Sequence, residues 1–131
     1  MTRTEARNEL FILIFEKQFS ESTLEEIVES AIESRDFSED KDGYIVNSFK
    51  GVYNNLETID NTISDNLIGW TIDRISKVSL AVLRLAIYEI KFIEDIPTSV
   101  TIDEAVELCK KYSTVEDASF VNGVLGSVVK A

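Results

Sequence analysis

The stretch Val78 to Ile93, VSLAVLRLAIYEIKFI, constrains the fold more than any other. It is apolar nearly all the way round, whereas a helix at a protein surface carries an apolar stripe on one side only. It is too long for a typical strand and too short for a membrane span. The pattern predicts a helix buried at the centre of a helical domain, with other helices packed around it. Arg84 and Glu89 interrupt the apolar run, and an ion in such a helix must find a partner or reach a surface.

The rest of the chain supports helices on every side of this one. Five glycines and one proline in 131 residues give few breaks, and hardly any segment alternates as a strand does. Thr2 and Glu5 have capping-box spacing, followed by the apolar face Ala6, Leu10, Phe11, Leu13, Ile14 and Phe15, which predicts a helix over about 3–19. Thr23 and Glu26 repeat the spacing before a second helix to Ser34. Residues 35–43 form a polar connection. Tyr44, Ile45, Ser48, Phe49, Val52, Tyr53 and Leu56 share one face of a third helix that contains Gly51. Ile59, Ile63 and Leu67 mark a fourth. Ile68-Gly69-Trp70 reads as a turn that drops the indole onto the core, before a short helix with Ile72 and Ile75. Pro97 ends the central helix. Thr101 and Glu104 again have capping spacing, ahead of the stripe Ile102, Ala105, Val106, Cys109, Tyr112. Ser113 to Asp117 is a turn and cap, and Phe120, Val121, Val124, Leu125 and Val128 form the last stripe. The expected architecture is all-α, about seven helices in one domain over 1–131, with helical subdomains over about 1–67 and 68–131.

Charge limits the function classes. The net charge is −11, with fifteen acids and six bases in residues 1–66 against nine and seven in 67–131. That balance argues against broad, non-specific nucleic-acid binding, which needs a positive field. It leaves room for a small basic site or a basic protein partner. There is no histidine, so the commonest acid–base side chain and a usual zinc ligand are missing. No two of the 24 carboxylates stand out as a catalytic pair, so no catalysis is assigned and no cofactor is expected. Residues 38–49 miss the calcium-loop pattern at its first and twelfth positions, Ser38 and Phe49. The lone Cys109 lies on an apolar stripe, as a small core side chain would. No run reaches membrane length, and a cytoplasmic setting is consistent with the cysteine content.

Arg3 and Arg7 lie four apart on one face of the first helix, either as a solvated pair or as two phosphate contacts. Phe120, in the first turn of the last helix, is either core or a platform on which a base stacks. Asn122 and Gly123 favour close helix packing over ligand contact.

Five segments, in this order, carry a family resemblance. They are Trp70-Thr71-Ile72-Asp73-Arg74-Ile75, then Val82 to Ile90 (VLRLAIYEI), Asp95-Ile96-Pro97, Ile102 to Leu108 (IDEAVEL) and Phe120 to Leu125 (FVNGVL). Together they resemble the NusB transcription antitermination family, over about residues 70–126 and more weakly over 3–19. The resemblance implies an all-α fold of two helical subdomains and a non-enzymatic role. It implies binding of boxA-type single-stranded RNA with NusE, the small-subunit ribosomal protein S-ten, in an antitermination complex on RNA polymerase. The implied RNA-contacting positions are Arg3, Arg7, Phe15, Tyr112, Glu116, Asp117, Ser119 and Phe120. Thr4 and Glu5 stand where well-known members carry bases, and Ser119 replaces a common lysine. Towards NusE the family uses the central helix and its approach, which points to Ser79 and Arg84. The alternative is a protein-interaction module of the same fold with little RNA binding of its own.

Overall fold

The computed structural model describes residues 1–40 and 42–130; Lys41, within the polar connection, and Ala131 lie outside the described residues. Among the described residues there are seven α-helices, one short 3-10 turn and no strand. The helices are α1 (Arg3–Lys17), α2 (Leu24–Ser34), α3 (Tyr44–Asn54), α4 (Leu56–Asp65), α5 (Lys77–Phe92), α6 (Thr98–Tyr112) and α7 (Val115–Lys130).

Local signals set several of these boundaries. Thr2 and Thr23 each accept a hydrogen bond from the backbone N–H three residues on, and the Glu5 and Glu26 carboxylates each accept one from the cap residue's backbone N–H. Both are complete capping boxes, which satisfy backbone donors that a helix start leaves open. The capping hydrogen bonds hold both carboxyls below their ordinary range. The acids before α3 are occupied in the same way: Asp42 Oδ1 accepts from Tyr44 N and Asp40 Oδ2 from Ile45 N. Gly43 enters that helix at φ +70°, a left-handed conformation that favours glycine.

The central helix sits where its pattern places it. α5 packs against α1, α3, α4, α6 and α7, and Ala81, Val82, Leu83, Ala86 and Ile87 are fully buried. Gly51 of α3 faces Tyr88 of α5, and a Cβ at residue 51 would collide with the Tyr88 ring. The glycine inside α3 is thus explained by close helix approach. Arg84 and Glu89 of α5 both find partners. Arg84 Nε and Nη2 donate to the two carboxylate oxygens of Asp60 at 3.0 and 2.9 Å, tying α5 to α4.

Glu89 is wholly buried, and its carboxylate takes four donors from three other helices. Arg7 of α1 donates through Nε at 2.8 Å and Nη2 at 3.1 Å. The Tyr44 hydroxyl of α3 and the Thr101 hydroxyl of α6 complete the set. Two donors reach each oxygen, which fills the acceptor capacity of a carboxylate. Burial and the neighbouring Glu89 charge raise the Tyr44 phenol. Burial pulls Arg7 down, but the Glu89 hydrogen bonds and charge outweigh it, and Arg7 is held above its ordinary value.

Four local expectations change. Trp70 does not drop onto the core; it is 55% exposed. Thr101 is no cap, because α6 already starts at Thr98 after Pro97 and the Thr101 hydroxyl turns inward to Glu89. Ile72–Arg74 is a 3-10 turn that leaves only Ile75 of its surroundings buried. Gly123 and Gly126 do not mark close packing, since nothing lies within 4 Å of a Cβ built at either.

Candidate nucleic-acid interface

The end of α1, the start of α5, the end of α6 and the start of α7 meet at one end of the bundle. An aromatic recurs every four residues, at Phe11 and Phe15 of α1 and at Phe19 in the turn just beyond it, so the three rings follow one another. Phe11 is buried and stacks on Tyr112 of α6 with centroids 4.8 Å apart; Phe15 lies 5.9 Å beyond Phe11, and Phe19 5.2 Å beyond Phe15. The buried ring anchors the ladder. Tyr112 and Phe19 are exposed and Phe15 is half-buried.

Polar groups fix the outer rings. The Tyr112 hydroxyl and Lys111 Nζ both donate to Asn8 Oδ1, at 2.8 and 2.9 Å. Lys111 also lies 5.2 Å from the Tyr112 ring centroid. Beside Tyr112, the turn into α7 is held by Asp117. Its Oδ2 accepts from the Ser113 hydroxyl and, at 3.0 Å, from the Ser76 hydroxyl at the start of α5. The Asp117 backbone N–H donates to Thr114 Oγ1, which caps the helix. Gln18 Nε2 donates to the Lys77 carbonyl at 2.8 Å, joining α1 to the same place. Gln18 Oε1 and Ser79 Oγ are buried without a partner.

Phe15, Tyr112 and Asp117 therefore stand together. Glu116 and Ser119 lie exposed on the first turns of α7, and Phe120 is half-buried against the core, 6.4 Å from the Trp70 ring. Arg3 stands apart at the opposite end of α1, about 18 Å from Phe15 at 1.5 Å per residue. It pairs with Asp42 and lies 4.0 Å over the Tyr44 ring.

Arg7 is a correction. Expected on the solvated side of α1, it is 2% exposed and faces the core, where Glu89 takes its guanidinium. It is not available to a phosphate in this arrangement. Ser79 and Arg84 are corrected likewise as surface contacts for a partner. The Ser79 side chain is enclosed, and the Arg84 guanidinium is largely buried and spent on Asp60. Asn8, Gln18, Phe19, Ser76 and Lys111 belong to the site but escape the sequence reading. The four-residue spacing of Phe11, Phe15 and Phe19 is the one signal that could have found Phe19.

Cys109 is fully buried, and burial together with the Asp117 charge pushes its thiol up to about 12. Among the described residues no cluster of three or more His, Cys, Asp or Glu is placed to hold a metal.

The NusB family model matches residues 3–130. The chain belongs to the NusB family. It is 46% identical to the transcription antitermination protein NusB of Acetivibrio thermocellus, covering 99% of this chain and 90% of the relative. It is 42% identical to the protein of the same name from Clostridium perfringens strain 13, covering 99% and 98%. Among solved structures, NusB of T. maritima superposes with a TM-score of 0.88 at 39% identity, covering 99% of this chain and 92% of that one. The crystal structure of antitermination factors NusB and NusE in complex with dsRNA gives a TM-score of 0.83 at 26% identity, covering 99% and 98%. The NusB fold of this chain is therefore present over nearly its whole length.

Proposed function

We propose that the protein is a transcription antitermination factor that binds boxA-type single-stranded RNA together with NusE, in a complex on RNA polymerase that supports ribosomal RNA transcription. The observation that carries this reading is the likeness, over 99% of the chain, to the NusB seen with NusE and dsRNA. The aromatic ladder adds a chemical reason. Exposed rings beside hydrogen-bonding side chains suit unstacked bases, and single strands offer these where duplexes do not. Phe15 and Tyr112 would stack, Asp117 would accept from base or ribose donors, and Glu116, Ser119 and Phe120 would border the strand. Arg3 would reach RNA only by leaving Asp42. Catalysis is no part of the reading, and the setting is the cytoplasm. No helix among the described residues is long and apolar enough to cross a membrane.

One observation favours the second reading, an interaction module with little RNA binding of its own. Arg7 is withdrawn into the core and Arg3 is paired, so the basic face of α1 is nearly spent. Competition between a boxA-type RNA and a shuffled RNA of equal composition, with NusE present, separates the two. Preference for boxA, weakened about 5- to 150-fold by Tyr112→Ala in protein that is still folded at the assay temperature, supports the antitermination factor. No preference, and no effect of Tyr112→Ala, supports the interaction module.

A further inference from the structure

We propose that Trp70, set against Phe120, is a second stacking platform that takes one unstacked base of single-stranded RNA. The inference rests on the RNA-binding reading above and adds a residue to its surface.

Folding gives no reason for the indole to stand where it does. Gly69, at φ +73°, turns the chain between α4 and α5 so that Ile68 is 93% and Trp70 55% exposed. The Trp70 ring does not lie flat on Phe120. The planes are inclined by 57° at 6.4 Å between centroids, so Phe120 does not cover the indole face to face, and the indole stays 55% exposed. Large aromatic surface left open in this way is available to another π-face.

The position is continuous with the candidate interface. Phe120 lies one turn after Asp117 on α7. Asp117 is bonded to Ser76, and the next residue, Lys77, receives Gln18 from α1. These bonds link the elements that carry Tyr112, Phe15 and Phe19 to those that carry Phe120 and Trp70. A strand lying across this junction would meet aromatic rings of both groups.

Charge favours RNA as the occupant. The connection over 67–77 holds one acid, Asp73, against Arg74 and Lys77, in a chain of net charge −11. Arg74 and Lys77 are both exposed. Neither is engaged in the ion pairs among the described residues. This local positive excess lies beside the exposed indole, where the backbone of a strand stacked on it would pass.

Trp70 is the single tryptophan, so its fluorescence reports on this platform alone. Labelled boxA-type RNA is titrated into the protein with NusE, following label anisotropy and tryptophan emission, the emission being corrected with a titration of Trp70→Phe. The expected result is quenching with the same midpoint as the anisotropy change. Trp70→Leu should weaken binding about 5- to 150-fold without changing the salt slope, because stacking releases no counterions. Trp70→Phe, which keeps a ring, should recover most of the affinity. If RNA binds but Trp70→Leu and Trp70→Phe bind as tightly as the wild type, the platform is wrong while the RNA-binding reading stands. If the wild type does not bind RNA with or without NusE, both fall.

Discussion

Replacing Arg7 with methionine keeps much of the side chain's volume and removes its charge. Glu89 would then be left wholly buried with two of its four donors, the Tyr44 and Thr101 hydroxyls. Breaking one side of a buried pair leaves an uncompensated charge and costs about 3–5 kcal/mol. The loss should be large because the pair joins α1 to α5, with α3 and α6 held by the same carboxylate. Urea denaturation reads it as a lower midpoint at unchanged m. Removing both charges together, Arg7→Met with Glu89→Leu, should destabilise less than Arg7→Met alone, because no ion is then stranded. A loss under about 1 kcal/mol in Arg7→Met, accompanied by weaker RNA binding, would refute the reasoning. It would mean that Arg7 leaves Glu89 readily and serves as a phosphate ligand.

Leu83→Ala removes a fully buried side chain from the middle of α5 and should cost about 2–5 kcal/mol in the same assay; a loss below 1 kcal/mol would misplace the core. Cys109 should resist thiol reagents in the native protein at neutral pH and react once the chain is unfolded in urea, since burial holds its thiol neutral. Its folded-state value lies above the ordinary 9.0, so the stability it contributes is fully present below pH 9 and is lost between pH 9 and about 12. Cys109→Ala should therefore flatten the fall of stability across that window, and an unchanged slope would contradict the assignment.

The fold was largely legible because its strongest signals are local or periodic. The all-round apolar pattern of Val78–Ile93 gives a buried helix, and the paired Thr and Glu at 2/5 and 23/26 give two helix starts. What periodicity cannot supply is which partner a polar residue meets. Arg7 and Glu89 are far apart in sequence, and helical spacing alone puts Arg3 and Arg7 on the same face. The fold separates them, sending Arg7 inward to an acid and leaving Arg3 outside. Thr101 fails as a cap for the same reason, since the Glu89 carboxylate competes for its hydroxyl. Trp70 is misread because a large aromatic after a turn normally seeks the core. In the candidate site, the family pattern names Phe15, Tyr112 and Phe120 as positions to examine. It does not name Asn8, Gln18 and Ser76, because only the meeting of helix ends brings their hydrogen bonds together.

The central claim is that this acidic chain needs a basic partner to hold RNA well. With roughly two to four phosphate contacts on a single strand, the logarithmic salt slope is about −1.4 to −2.8, and with Arg7 buried the low end applies. A basic NusE would dock on the acidic surface and extend the positive track; by linkage, RNA would tighten the protein pair by the same factor. The decisive measurement is a titration of labelled boxA RNA at two salt concentrations, with and without NusE. The prediction is weak binding with a shallow slope alone, and tighter binding with a steeper slope in the pair. An affinity and a slope that NusE leaves unchanged would contradict it.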